Sequence, residues 1–243
     1  MRIVAIIQAR VGSSRLPGKV LKDLAGQTVL ARVVNRLRGA ELLDELVIAT
    51  SVNGQDDRIA AECGYLSAEC FRGDEADVLD RYYGAALNFG ADAVVRITAD
   101  CPLIDPVLVD ETIETFRDRK VDYATNGLVV TYPRGLDVEV VKVEALARAW
   151  RAAAPGYQRT HVTPYLYENP ALFKIASLSA DSDYSKYRWT LDTAEDLAML
   201  RSVYKHFDGR DNFGWREVLW LMQENPELAE MNCHVRQKAV EEG

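Results

Sequence analysis

The residues best suited to chemistry crowd into one short stretch, Gln8-Ala9-Arg10-Val11-Gly12-Ser13-Ser14-Arg15-Leu16-Pro17-Gly18-Lys19. Arg10, Arg15 and Lys19 bring three positive charges with no acid among them. Gly12 and Gly18 allow backbone amides to turn toward an anion, and Ser13 and Ser14 add hydroxyl donors. An Arg guanidinium meets phosphate oxygens as a flat two-pronged donor and a Lys as a point charge, so the set predicts a cradle for a triphosphate. Two familiar phosphate loops do not fit. The P-loop needs a shorter gap between its glycines and a Ser or Thr after its Lys; here five residues separate Gly12 from Gly18, and Val20 follows Lys19. The GxGxxG fingerprint is also missing. A solvated basic loop is the plain alternative.

Two aspartates complete the set. In Arg96-Ile97-Thr98-Ala99-Asp100-Cys101-Pro102, Asp100 follows an apolar run, at the sheet edge expected for the basic loop. In Arg188-Trp189-Thr190-Leu191-Asp192-Thr193-Ala194-Glu195, a short apolar strand is expected to run into a helix and leave Asp192 at the strand end. Mg²⁺ bound with a nucleotide takes one or two carboxylates, phosphate oxygens and waters, so two such aspartates suffice. Plainer roles stay open. Asp192 can be a helix N-cap with Glu195 completing a capping box, and Asp100 a turn residue. Asp105, before Pro106, reads as a helix cap. Asp77 does too, with Arg81 as its partner at helical spacing.

The elements that must position these groups follow from hydrophobic patterning. Residues 3–9 and 93–98 are apolar runs of the kind buried on both faces of a parallel sheet, and 46–50 is a third. Between them lie helical patterns. One presents Val29, Leu30, Val33, Val34 and Leu37 on a single face, with Thr28 as N-cap. Others are expected at 55–63, ended by Gly64, at 77–89, stopped by Gly90, and from Pro106 onward. This alternation predicts a three-layer α/β/α fold with a mostly parallel, Rossmann-like sheet that binds ligands at its strand ends. In the second half, 136–143 and 172–178 read as strands, the latter antiparallel, and 193–206 and 215–224 as helices. Alternation puts Asp137 and Glu139 on one face of their strand. Trp215 and Trp220 read as packing residues. No linker or repeat divides the chain, so residues 1–243 are expected to form one domain. Its 1–125 half would bind nucleotide, and its 126–243 half would bind the acceptor and complete the metal site.

Of 243 residues, 48 % are apolar and 27 % charged, as in an ordinary soluble globule, and the formal net charge is −8. An acidic chain is a poor general binder of nucleic acid, whose backbone needs a basic face. Cys63, Cys70, Cys101 and Cys233 form no CxxC pair, and His161, His206 and His234 lack zinc-ligand spacing, which favours a reduced, cytoplasmic setting. The apolar run at the start is too short for a signal h-region or a membrane span, so no membrane association is expected.

The basic loop resembles the signature of the sugar cytidylyltransferases, which make CMP-activated sugars such as CMP-Kdo and CMP-sialic acid. The resemblance is closest to the SpsF-like branch of spore-coat and cell-surface polysaccharide synthesis. It is carried by Ile6-Ile7-Gln8-Ala9-Arg10 and Arg15-Leu16-Pro17-Gly18-Lys19-Val20-Leu21. Relatives that use UTP, dTTP or GTP tend to have an Ala-Gly-Gly run here, so Gln8-Ala9-Arg10 favours CTP. The resemblance implies a nucleotide-diphospho-sugar transferase (GT-A) sheet with a small acceptor and dimerisation lobe. It also implies a Mg²⁺-dependent nucleotidyltransferase, in which CMP passes from CTP to a sugar and pyrophosphate leaves.

The same resemblance suggests individual roles. Ala9, Arg10, Gly12, Ser13, Arg15 and Lys19 would hold the nucleotide. Asp100 and Asp192 would hold Mg²⁺ and, with Arg10, Arg15 and Lys19, form the catalytic set. Ala99 stands where the family often has Gly. Phe71-Arg72-Gly73-Asp74 resembles the segment against cytosine, implying base contacts from Arg72 and Gly73. The region after Asn126 resembles the acceptor segment, implying sugar contacts from Asn126, Arg134, Asp137 and Glu139; the plain alternative for the two acids is an exposed sheet edge. His161 is an acceptor-side or helix-packing residue, and Thr160 precedes it where relatives commonly have Glu. The sialic-acid branch commonly has Lys and Ile-Pro where Arg15, Leu16 and Pro17 stand here, so another acidic sugar is the expected acceptor. A homodimer is expected. Use of another NTP, glycosyl transfer, or nucleotide binding without turnover are the competing readings.

Overall fold

The computed structural model describes residues 1–237. Its strands are β1 (Ile3–Gln8), β2 (Asp23–Leu24), β3 (Gln27–Thr28), β4 (Glu45–Ser51), β5 (Glu69–Gly73), β6 (Ala93–Thr98), β7 (Tyr123–Thr125), β8 (Glu139–Lys142) and β9 (Ile175–Ser177). The main helices are α1 (Val29–Leu37), α2 (Asp57–Leu66), α3 (Val78–Asn88), α4 (Pro106–Asp118) and α5 (Val143–Ala152). They are followed by α6 (Tyr157–His161), α7 (Pro164–Tyr167), α8 (Ala194–His206), α9 (Trp215–Glu224) and α10 (Pro226–Glu230).

Seven strands form one sheet in the order β5-β4-β1-β6-β8-β7-β9, and helices cover both faces. β1 is central and parallel to β4 and β6, with Gln8 opposite Ala49 on one side and Thr98 on the other. Residues Ile3 to Ile7 have no exposed surface, which explains their uninterrupted apolar run. Alternate residues feed two cores. Ile3, Ala5 and Ile7 pack with α1, α4, α8 and α9, whereas Val4 and Ile6 pack with α3 and α5. The strand order reverses beside β1: the chain moves outward through β4 and β5, then returns to the other side at β6. A crevice must open there at the carboxyl ends, because the two connections leave in opposite directions. The loop after β1 and Asp100 after β6 both sit at that crevice.

Several boundaries differ from the sequence expectation. α2 runs through Gly64 to Leu66 and ends at Ser67, whose φ is +49°; one glycine weakens a helix by about 1 kcal/mol but does not stop it. The antiparallel strand is β8, lying between β6 and β7, and β9 pairs parallel with β7. β8 begins only at Glu139, because residues 136–138 are held by a side chain instead of a strand. The Asn126 amide donates to the Leu136 carbonyl at 2.7 Å and accepts from the Val138 N–H at 2.8 Å. Residues 188–191 form no strand, only a bridge from Arg188 to Arg134. That bridge depends on Gly135, at φ +104°, where a Cβ would stand 2.7 Å from the Trp189 carbonyl carbon and the Thr190 nitrogen. Among the described residues, no helix is long and apolar enough to cross a membrane.

Candidate active site

The loop after β1 is shaped by its own backbone and by one buried acid. Asp56, fully buried, accepts the Val11 N–H at 2.7 Å and the Ser51 hydroxyl. The Gly18 N–H closes back onto the Val11 carbonyl at 3.0 Å. Gly18 has φ +67°, a conformation that costs most residues strain, and it starts the single turn that launches Lys19.

Lys19 projects between the two aspartates. Its Nζ lies 2.5 Å from Asp100 Oδ2 and 2.7 Å from Asp192 Oδ1. Arg15 and Arg188 each reach the other oxygen of Asp192, Oδ2, at 2.8 Å. The two aspartate segments are tied by backbone, with the Leu191 N–H donating to the Asp100 carbonyl at 2.8 Å. Burial opposes the charge on all three groups, but their mutual attraction wins. Asp100 and Asp192 titrate below the usual carboxylate range beside Lys19, and Lys19 titrates above its ordinary value beside them.

The plainer alternative for Asp192, a helix N-cap, falls instead to the next residue. Thr193 is the N-cap of α8 and Asp196 completes the capping box, so Asp192 is released to face the cleft. Asp105 and Asp77 do cap α4 and α3. Asp77 pairs with Arg159 at 2.6 Å instead of Arg81, whose Nη1 donates to the Asp74 carbonyl at 2.6 Å.

These groups line a cleft of about 510 Å³. Ala9, Arg10, Gly12, Ser13, Arg15, Lys19, Asp100, Asp192 and His161 all border it, although the chain separates Lys19 from Asp192 by 173 positions. The other expected residues lie elsewhere. Arg72 donates to the Ser51 and Asn53 carbonyls at 2.9 and 3.2 Å and pairs with Asp57 at 2.7 Å. Gly73 packs against Arg81, where an added Cβ would lie 3.2 Å from its Cγ. Asn126 is buried and its amide is used within its own loop. Glu139 pairs with Arg96 and accepts the Tyr123 and Thr163 hydroxyls, each at 2.6 Å. Asp137 is exposed and accepts the Gly135 N–H at 3.0 Å. The Arg134 backbone pairs with Tyr187 and Trp189.

Sequence reasoning missed two cleft residues. Arg81, 2 % exposed, has an Nε without a partner among the described residues and borders the cleft beside Val78, one helical turn earlier. Gln8 gives its Oε1 to Arg96 Nη2 at 3.2 Å. An arginine can only donate, so this bond turns the Gln8 amide NH₂ away from Arg96. The signal for Arg81 was topological: the first turn of a helix that follows a parallel strand lies at the ligand-binding edge.

A divalent cation fits the donor set. Two carboxylate oxygens already converge on one ammonium, so a positive centre between them is what the fold supplies. No cluster of three or more His, Cys, Asp or Glu suited to a metal occurs among the described residues. Two acids are enough when phosphate oxygens and water complete the shell.

A family model described as Cytidylyltransferase matches residues 4–209. The spore coat polysaccharide biosynthesis protein SpsF of Bacillus subtilis is 36 % identical over 234 residues, covering 93 % of this chain and 96 % of that one. The 3-deoxy-manno-octulosonate cytidylyltransferase of Geobacter sulfurreducens is 41 % identical over 115 residues, 46 % of this chain and 44 % of that one. The solved structure of a cytidylyltransferase from Leptospira borgpetersenii superposes with a TM-score of 0.91 at 30 % identity, covering 98 % of this chain and 99 % of that one. With a switch-point cleft, a basic loop and paired aspartates on the same sheet edge, the chain belongs to the cytidylyltransferase family.

Proposed function

We propose that this chain transfers CMP from CTP to a sugar hydroxyl, releasing pyrophosphate, with Mg²⁺ held by Asp100 and Asp192. The carrying observation is Lys19: one ammonium bridges two aspartates from distant segments beneath a loop with two further arginines. Such a cluster is half of an ion-pair lattice that a metal–triphosphate would complete. When CTP enters, Lys19 and Arg15 exchange their carboxylate partners for phosphate oxygens. Arg10, exposed at the cleft, adds a third cation. The sugar oxygen bonds to the α-phosphorus as the bond from that phosphorus to the bridging oxygen breaks. The hydroxyl proton passes to water, and pyrophosphate departs. Bound Mg²⁺ would neutralise phosphate charge and lower the pKa of the attacking hydroxyl. The residues act by positioning the reactants and by offsetting charge on the leaving group, which together account for most of the catalysis of phosphoryl transfer.

The spore-coat and deoxyoctulosonate relatives point to a sugar acceptor for surface polysaccharide, with an acidic sugar favoured. The residues proposed for it are His161 at the cleft and Asn126, Arg134, Asp137 and Glu139 in the second half. Gly73 would act on cytosine indirectly, by shaping the wall that Arg81 forms, and Arg72 by holding the Ser51 and Asn53 backbone beside it. A cytoplasmic homodimer completes the proposal. The test is a panel of sugars with each of CTP, UTP, GTP and dTTP, read by Mg²⁺-dependent pyrophosphate release. Release with CTP and one sugar supports the reading; preference for another NTP, or CTP binding without turnover, overturns it.

A further inference from the structure

Residues 231–237, after α10, lie beyond the residues matched by the family model, yet they reach Arg188 and the cleft residue Arg15. Asn232, 1 % exposed, donates its amide to Asp196 Oδ1 at 2.8 Å and to the Arg188 carbonyl at 2.9 Å. Asp196, fully buried, accepts Arg188 Nε at 2.9 Å and the N–H groups of Asp192 and Thr193 at 2.8 and 2.9 Å. Arg188 extends from this anchor to Asp192 Oδ2 with one nitrogen and to Gln237 Oε1, at 2.7 Å, with the other. Arg15, the second guanidinium on Oδ2, donates to the Arg236 carbonyl at 3.3 Å. The two oxygens of Asp192 therefore differ. Oδ2 is clamped by two arginines, both touched by the C-terminal segment, whereas Oδ1 meets, among the described residues, only the ammonium of Lys19.

We propose that residues 231–237 brace the metal site, with Asn232 and Gln237 as positioning residues that set Arg188 so that Asp192 turns Oδ1 toward a divalent cation. The inference rests on the Mg²⁺ reading of Asp192. A carboxylate free to swing loses part of its affinity for a cation, and loss of such outer partners costs about 10–100-fold in metal affinity or activity. A segment that merely packed would alter stability and leave the cation constant unchanged.

The test uses the full chain and Mn²⁺ as a paramagnetic probe, titrated into the CTP complex without sugar and read by water-proton relaxation. Asn232→Leu is expected to weaken Mn²⁺ about tenfold, while metal-free CTP binding changes less than about twofold. Gln237→Ala, on an exposed residue, is expected to weaken Mn²⁺ by less than Asn232→Leu does and carries the test if Asn232→Leu does not fold. An unchanged cation constant in the folded variants overturns the brace. An Asp192→Asn control separates the two failures. If it too leaves Mn²⁺ binding unchanged, the metal reading is wrong; if it alone weakens binding, only the brace is wrong.

Discussion

Two charged clusters sit on this sheet, Lys19–Asp100–Asp192 at the cleft and Arg96–Glu139 across β6 and β8. Exposure does not distinguish them: the side chains are 13, 23 and 16 % exposed in the first and 15 and 12 % in the second. Saturation does. Glu139 also takes two neutral hydroxyls, from Tyr123 and Thr163, which fix it whether or not a ligand is present. The aspartates of the cleft are held mainly by long cationic side chains, which a phosphate can recruit away. A charged cluster built from exchangeable partners is suited to a ligand, and one completed by neutral donors is suited to the fold.

The strongest challenge to this contrast is Asp100→Asn. It should lower pyrophosphate release on the order of 10²–10³-fold, as loss of a preorganised charge stabiliser does, with a smaller loss of stability than Glu139→Ala. Near-normal turnover would remove the cleft cluster from the chemistry. Glu139→Ala should act first on the fold, its effect on turnover limited to a raised KM for the sugar. Stranding Arg96 is expected to cost about 3 kcal/mol in urea unfolding, because a buried charge then lacks its partner. A wild-type unfolding midpoint would erase the distinction between the clusters.

Gly135→Ala tests the link between the halves. The left-handed backbone and the clash with residues 189 and 190 should cost about 2 kcal/mol and shift the segment bearing Asp192. Unchanged stability would mean that the Arg134–Arg188 bridge adapts freely.

The smallest effect concerns pH. Asp100 and Asp192 titrate lower in the fold than when unfolded, so their contribution is complete above about pH 3.9 and fades as pH falls through the depressed values. Lys19 titrates higher in the fold, so its contribution is complete below about pH 10.4 and fades as pH rises through the raised value. The stability lost in Asp192→Asn should therefore stay level between about pH 5 and 10. A slope inside that window would show that the cluster is not intact.

The central strands, most helices and the basic loop were legible because each is a local pattern: an apolar run, a periodic face, glycines beside cations. Asp100 was legible because it directly follows a strand. β8 and β9 were legible in place, inside 136–143 and 172–178, but not in direction, since strands of four and three residues run as the neighbours they find dictate. Sequence left Asp192 open between a cap and a ligand, because Thr193 and Asp196 form the same capping pattern one residue later and only the bonds choose between them. Arg72 and Arg81 are equally cationic in sequence; the turn of α3 decides that Arg81 borders the cleft.

Sequence alone determined that this chain would form a mostly parallel α/β sheet with a basic, glycine-bearing loop after its first strand, because those features arise within a few neighbouring residues. The tertiary structure alone decided that Lys19, Asp100 and Asp192 meet, that Glu139 turns inward, and that Asn232 reaches back to Arg188. Those contacts join positions far apart in the chain, and packing sets their distances.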